Sequence, residues 1–235
     1  MSTDWMIEEV SHQFDFYDDY LENQLGYQPL IDDLIARLGT QLSVLDYGCG
    51  GGKVSRRLIA RGIEQVTGVD ISNVMIDKAN THPDRGNSRY QQVTSGKLPF
   101  DDAIFNAAIC CYVFINNDDK AELLKIAKEA HRTIQSGGYF YILDTNPDST
   151  GVKFSSFKNG DSNIEYRDGD KRPVYLDLPD SNVFKIIDTH WDMQTYISVL
   201  REAGFENIDI VERIELDQIS GKYCAPFVLC RCTKP

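Results

Sequence analysis

Two aspartates and a run of glycines carry the clearest chemistry in this sequence. Asp46-Tyr47-Gly48-Cys49-Gly50-Gly51-Gly52 closes a short apolar run, Gln41 to Tyr47, and Asp70 closes the next one, Gln65 to Val69. A chain that leaves a strand and turns sharply needs glycine, so that a ligand can approach the backbone and meet the amides at the start of the next helix. A dinucleotide loop of the form Gly-x-Gly-x-x-Gly would put a third glycine at position 53, where this chain has Lys53. Asp46 beside the loop would repel a phosphate, whereas Asp70 stands where a carboxylate accepts both hydroxyls of a ribose. The pair reads as a nucleoside site, with Asp46, Gly48, Gly50 and Asp70 as its first candidates.

The elements that position these residues alternate in kind. After Gly52, Val54, Leu58 and Ile59 recur at helical spacing, and Ser72 caps a further helix carrying Val74, Met75 and Ala79. Tyr90 to Val93 and Ile104 to Cys111 read as strands separated by the turn Leu98-Pro99-Phe100-Asp101-Asp102. Asp118 and Asp119 sit at the start of a helix that Gly137-Gly138 should stop, and Tyr139 to Leu143 reads as a fifth strand. Strands alternating with helices over 41–145 imply a parallel sheet with right-handed crossovers. Ahead of it, residues 4–38 read as two helices broken near Gly26 to Pro29. Behind it, Thr150 to Thr189 turns polar, aromatic and β-rich, as an insertion over the ligand edge would. Asp192 to Ala203 reads as a helix, with Glu206 to Ile214 and Tyr223 to Arg231 as a closing antiparallel pair joined by the turn Asp217 to Lys222.

In order and spacing, Val44-Leu45-Asp46-Tyr47-Gly48-Cys49-Gly50-Gly51-Gly52, Gly68-Val69-Asp70-Ile71-Ser72, Leu98-Pro99-Phe100 and Ile134-Gln135-Ser136-Gly137-Gly138 resemble the motifs of the class I S-adenosylmethionine-dependent methyltransferases. Within that superfamily the resemblance is to the ubiquinone/menaquinone-methyltransferase-like branch. It runs from about Val44 to Asp144 and continues weakly through Tyr196 to Phe205. It implies an α/β fold, a Rossmann-like doubly wound and mostly parallel seven-stranded sheet with N-terminal helices and a β-rich cap. The single domain would divide into a helical lid (1–40), a cofactor-binding core (41–148), a cap (150–190) and a C-terminal helix with antiparallel strands (191–235).

The resemblance also implies roles. Gly48 and Gly50 would face the methionine part of S-adenosylmethionine, Asp70 would hold the ribose, Ile71 would flank adenine and Met75 would pack near the same ring. Where the family often has an acid for the adenine amino group, this chain has Thr94, followed by Ser95 and Gly96, so a charge-assisted hydrogen bond gives way to one about 1 kcal/mol weaker. Cys110 and Tyr112 fall at the strand end where cofactor and acceptor contacts are expected. Tyr17 and Tyr20, with Phe14 and Phe16, match a lid over the sulfonium, or else a stripe packed on the core. His190 and Trp191, at the exit of the cap, and Asp144, after the fifth strand, are candidate acceptor contacts. His190 is also the candidate base, and its alternative is a hinge histidine. His82 and His131 read as structural.

Composition narrows the acceptor. Lys plus Arg number 24 against 36 Asp plus Glu, a formal charge of -12 that repels nucleic acid and anionic membrane surfaces. Nucleic-acid amine methylation would show Asn/Asp-Pro-Pro-Tyr/Phe after the fourth strand, where this chain has Cys110-Cys111-Tyr112-Val113. Lys153, Lys158, Arg167, Lys171 and Arg172 form one basic stretch interleaved with Phe154, Phe157, Tyr166 and Tyr175, which suits a small acceptor with an aromatic or anionic part, or else is a solvated loop. The six cysteines show no Cys-x-x-Cys spacing, so neither a metal site nor a redox pair is expected. No run is apolar enough to span a membrane and Met1 to Val10 lacks an export signal, so a cytoplasmic location is expected. The expected activity is methyl transfer to an oxygen, nitrogen or carbon atom of a small molecule, driven by proximity and desolvation. A non-catalytic S-adenosylmethionine-binding regulator and a nicotinamide-dependent oxidoreductase are the alternatives.

Overall fold

Val44 and Leu45 are adjacent and both fully buried, which only a strand covered on its two faces allows. The computed structural model of the chain describes residues 3, 5–179, 181–212, 215–216 and 223–235. Its central sheet has the spatial order β3 (Arg89–Gln92), β2 (Gln65–Asp70), β1 (Ser43–Tyr47), β4 (Phe105–Cys111), β5 (Ile134–Thr145), β12 (Phe227–Thr233) and β9 (Glu206–Glu212). β1, β2, β3, β4 and β5 are parallel, while β12 lies antiparallel to both β5 and β9. Leu45 joins one apolar core with Phe140 and Ile142, and Val44 joins the other with Ala107 and Tyr141, so alternate side chains fill opposite faces. The chain reverses its direction of travel across the sheet between β1 and β4, the place where such sheets open a crevice.

The helices follow local rules. The Ser72 hydroxyl accepts from Met75 N at 3.4 Å to cap α5 (Asn73–Thr81), and Asp119 Oδ1 accepts from Ala121 N at 2.9 Å to cap α6 (Lys120–Thr133). Two boundaries differ from expectation. After α1 (Glu8–Asp15), the short α2 (Tyr20–Glu22) passes through a π-helical turn, Asn23–Tyr27, straight into α3 (Gln28–Leu38), because Pro29 occupies the first turn, where its missing N–H has no helical partner to lose. Gly137 and Gly138 do not stop a helix: α6 ends at Thr133, and the glycines lie within β5, where its register with β4 shifts.

Between β5 and α7 (Met193–Glu202), the strands β6 (Phe157–Asn159), β7 (Lys171–Asp177) and β8 (Val183–Thr189) form a separate antiparallel sheet. Its period-2 inner face carries Phe157, Asn159, Val174, Leu176, Ile186 and Asp188, all buried. The short strands β10 (Glu215–Leu216) and β11 (Tyr223–Cys224) pair near the end, and the expected turn 217–222 and residues 213–214 lie outside the described residues. No described helix is long and apolar enough to cross a membrane.

Candidate functional site

A cavity of about 780 Å³ opens at the carboxyl ends of β1, β2 and β4 and is roofed by the inner face of the cap sheet. That volume lies within the roughly 300 to 1,000 Å³ of small-molecule sites.

One half is built from the two strand ends noted in the sequence. The loop after β1 is pinned by Gly48 N and Cys49 N, which donate to Val69 O at 2.7 and 2.9 Å. Gly48 and Gly50 have φ values of +74° and +49°; a Cβ at Gly48 would meet Val113 Cγ2 at 2.2 Å, while one at Gly50 would project into open space. Asp70 Oδ2 accepts from Gly50 N at 2.9 Å and Oδ1 from Ser72 N at 2.8 Å, and the carboxylate, with further lone-pair capacity, lines the cavity. Asp46 is buried and accepts from Ser55 Oγ at 2.6 Å. Ile71, Met75 and Ser95 complete this wall, and Lys53, the residue that breaks the dinucleotide pattern, lies on it 3.3 Å from Asp19. An open glycine cradle beside a carboxylate with spare lone pairs fits a nucleoside with a vicinal diol.

The other half is apolar with isolated polar groups. Phe157, Val174, Leu176, Ile186 and Phe227 line it. Tyr112, held at φ +58°, points into it with a buried hydroxyl that has no hydrogen-bond partner. Its ring meets Tyr27 and Phe227 edge-on at 6.0 and 5.9 Å. The Tyr17 hydroxyl donates to Glu22 Oε1 at 2.6 Å, and Glu22 Oε2 is buried and unpartnered. The Asn159 amide is fully buried on the same wall with both polar atoms unpartnered, and Asp188 lies beside it at 2% exposure.

Three acids of this cavity are pushed up by burial: Asp46 to about 6, Glu22 to about 7 and Asp188 to about 7. Each folded value exceeds the unfolded one near 4, so the folded state holds extra protons; stability is full below about pH 4 and falls as pH rises through 6 to 7. The apoprotein is therefore expected to lose about 5 °C or more in melting temperature between pH 5 and pH 8. A calorimetric melting series across that range checks it, and a flat or rising series contradicts it.

Several expected site residues lie elsewhere. Tyr20 is 66% exposed and outside the cavity lining, because Tyr17 and Tyr27 are the aromatics that this helical segment turns inward. Cys110 is fully buried in the core and Cys111 takes the place on the wall. Thr94 and Gly96 flank Ser95 without lining the cavity; Thr94 bridges to Lys97, and Gly96 N donates to Tyr47 Oη at 2.9 Å. Asp144 is buried within β5, where Tyr196 Oη donates to it at 3.0 Å, and its neighbour Thr145 reaches the cavity instead. Trp191 is buried and donates from Nε1 to Asn117 O at 3.0 Å.

His190, expected as a base, does not line the cavity either. β8 ends at Thr189 and the His190 backbone pairs with Gly169 and Asp170, which tucks the ring between Asp192 Oδ1, 3.1 Å from Nε2, and Arg172 Nη1, 3.4 Å from Nδ1. Burial and the Arg172 charge hold its pKa down. Its place in the fold is as a brace for Arg172.

A strap formed by Thr3, Trp5 and Met6 was not expected from the sequence. Thr3 exchanges hydrogen bonds with Ile187 on β8, Trp5 Nε1 donates to Asn116 Oδ1 at 2.8 Å, and Ser72 Oγ donates to Trp5 O at 3.3 Å. Thr3, Trp5 and Met6 line the cavity, so this segment ties the cap to the Asp70 side. Trp5→Ala is expected to speed release of a bound nucleoside about tenfold, read by stopped-flow fluorescence; an unchanged rate would show that the strap does not gate the cavity.

Comparison with known proteins places this geometry. A family model described as a methyltransferase domain matches residues 44–138. The N-demethylindolmycin N-methyltransferase of Streptomyces griseus is 29% identical over 222 residues, 89% of this chain and 90% of that protein. The ubiquinone/menaquinone biosynthesis C-methyltransferase of Idiomarina loihiensis is 27% identical over 217 residues, 87% of this chain and 82% of that protein. Among solved structures, PH0226 from Pyrococcus horikoshii OT3 shares the fold, with a TM-score of 0.66 at 22% identity over 97% of this chain and 100% of that one.

Proposed function

We propose that the chain is a class I S-adenosylmethionine-dependent methyltransferase acting on small-molecule substrates, a reading the methyltransferase-domain match and the similar methyltransferases support, and that its two half-cavities divide the work. The backbone at Gly48 and Gly50 receives the methionine part, the free lone pairs of Asp70 accept the ribose hydroxyls, Ile71 and Met75 enclose adenine, and Ser95 serves its amino group. S-adenosylmethionine supplies a methyl carbon already activated by a sulfonium. What remains for the protein is to align an acceptor behind that carbon and exclude water, effects worth roughly 7 to 11 kcal/mol in well-oriented reactions. The cap sheet and the Thr3–Trp5–Met6 strap do this by closing the cavity over both halves. The observation that carries the reading is the continuity of one cavity from Gly50 and Asp70 to the apolar inner face of the cap.

The acceptor is a small molecule rather than nucleic acid, because the basic stretch of the cap is engaged within the fold: Lys153 pairs with Asp177, Lys171 with Asp118 at 2.8 Å, and Arg172 is buried. A cytoplasmic location belongs to the same reading, supported by six cysteines without a Cys-x-x-Cys pair. Relatives are named for nitrogen and for carbon acceptors, so their names leave the atom to the geometry. Titration calorimetry tests the cofactor assignment: S-adenosylmethionine and S-adenosylhomocysteine are expected to bind at micromolar concentration and NAD not at all. Binding of NAD in their place would overturn it.

A further inference from the structure

We propose that the capped half of the cavity holds an apolar acceptor by a basic nitrogen, and that the Asp188 carboxylate takes the proton this nitrogen gives up on methylation. The inference rests on the methyltransferase reading and adds to it the acceptor atom and its base.

The walls come first. Phe157, Val174, Leu176, Ile186 and Phe227 offer an apolar surface suited to a hydrocarbon or aromatic body and poor for a sugar or phosphate. Behind that surface the walls hold polar groups whose hydrogen-bonding capacity the fold leaves unanswered: both polar atoms of Asn159, the Tyr112 hydroxyl and Glu22 Oε2. Buried polar groups without partners are uncommon because each lowers stability, and here they lie in the wall of one space that Asp188 also lines.

The sign of that ligand follows from the charges. Two carboxyls, Asp188 and Glu22, face this half. The neighbouring cations are turned to other partners: Arg172 donates to Thr145 Oγ1 at 2.7 Å and Thr150 Oγ1 at 3.0 Å, and Lys171 to Asp118 at 2.8 Å. An anionic acceptor would meet repulsion from these carboxyls, and an ammonium attraction. Asp188 is faced by Arg172 and Lys171 across the β7–β8 ladder and by Asp144 from β5. Burial outweighs the two cations and brings its carboxyl to about 7, where it can both accept and release a proton near neutral pH.

The step balances as follows. An amine of ordinary basicity enters as an ammonium, and the Asp188 carboxylate takes one N–H proton, freeing the nitrogen lone pair. That pair forms the bond to the methyl carbon while the carbon–sulfur bond breaks and its electrons stay on sulfur. The positive charge passes from sulfonium to the new ammonium, and Asp188 yields its proton to water once the cavity opens.

The test uses the full chain saturated with S-adenosylhomocysteine. N-methylbenzylamine and 1,2,3,4-tetrahydroisoquinoline are titrated in a calorimeter beside benzyl alcohol and 4-ethylphenol. The amines are expected to bind at least tenfold more tightly than the oxygen compounds, with an advantage that grows at least fivefold as pH rises from 6 to 8. Asp188→Asn should remove that advantage while leaving S-adenosylhomocysteine affinity within twofold, and should lower amine methylation at least 100-fold. Equal or tighter binding of the oxygen compounds, a pH-independent amine affinity in the wild type, or full amine affinity in Asp188→Asn overturns the proposal and leaves the methyltransferase reading standing. Failure of S-adenosylhomocysteine itself to bind overturns both.

Discussion

Asp70→Ala is expected to raise the dissociation constant for S-adenosylmethionine by 100-fold or more. A hydrogen bond to a charged group contributes about 1.5 to 3 kcal/mol, and on the proposed reading the carboxylate accepts from the ribose hydroxyls. The same substitution removes the acceptor of Gly50 N and Ser72 N, so the loop loses its tether as well as its ligand contact. Asp70→Asn keeps one acceptor oxygen and should fall between wild type and alanine. Calorimetric titration of the three proteins, with a melting curve for each to confirm folding, decides the point. An affinity for alanine within threefold of wild type would remove Asp70 from the cofactor site.

The second large effect separates two glycines that look alike in sequence. Gly48→Ala should destabilise the fold by about 2 to 4 kcal/mol, because an added Cβ would lie 2.2 Å from Val113 Cγ2 in a left-handed backbone conformation. Gly50→Ala has the same kind of backbone conformation but open space around its Cβ, so its cost to the fold is about 1 to 2 kcal/mol. Its larger effect should fall on cofactor affinity, at least tenfold, because the methyl group occupies cavity volume. Urea denaturation and calorimetry on both variants check the contrast. Equal stability for the two, or full cofactor affinity in Gly50→Ala, would contradict it.

The cofactor half was legible from the sequence because it is local. A strand, a glycine turn and a helix follow within about a dozen residues, and Asp70 ends the adjacent strand, so Asp46, Gly48, Gly50, Asp70, Ile71 and Met75 reach one wall through short-range rules. Two expectations fell one residue away from the lining, Cys110 for Cys111 on the cofactor side and Asp144, expected as an acceptor contact, for Thr145, each a choice between neighbours on a strand whose side chains alternate. The acceptor half depends on pairing β6, β7 and β8 over the sheet edge, which spacing along the chain does not specify. A signal was nonetheless present. In Phe157-Lys158-Asn159, Arg172-Pro173-Val174-Tyr175-Leu176 and Phe184-Lys185-Ile186-Ile187-Asp188, a polar residue sits on the parity otherwise occupied by apolar ones. Asn159, Arg172 and Asp188 are those residues, whereas attention to His190 rested on its residue type and its place at the exit of the cap. Tyr20 failed for a related reason, since the helical segment that turns Tyr17 and Tyr27 inward leaves it facing solvent.

Burial without hydrogen bonds links the two halves energetically. Glu22, Tyr112 and Asn159 each carry buried polar atoms with no partner, and Asp46, Glu22 and Asp188 hold protons that ordinary carboxyls release. A cationic sulfonium entering this space favours the ionised acids, so binding of S-adenosylmethionine near pH 6.5 should release more protons than binding of the neutral thioether S-adenosylhomocysteine. Calorimetry in buffers of differing ionisation enthalpy measures the difference. Equal proton release for the two ligands would separate these acids from the sulfonium.

The central claim is that this cavity moves a methyl group onto a small molecule. Incubation of the full chain with methyl-labelled S-adenosylmethionine and a metabolite extract, resolved by mass, measures that directly. The account predicts label on a small molecule together with an equal amount of S-adenosylhomocysteine, both abolished in Asp70→Ala. Label carried only by protein or nucleic acid, or S-adenosylmethionine left unconsumed by every fraction, would contradict it.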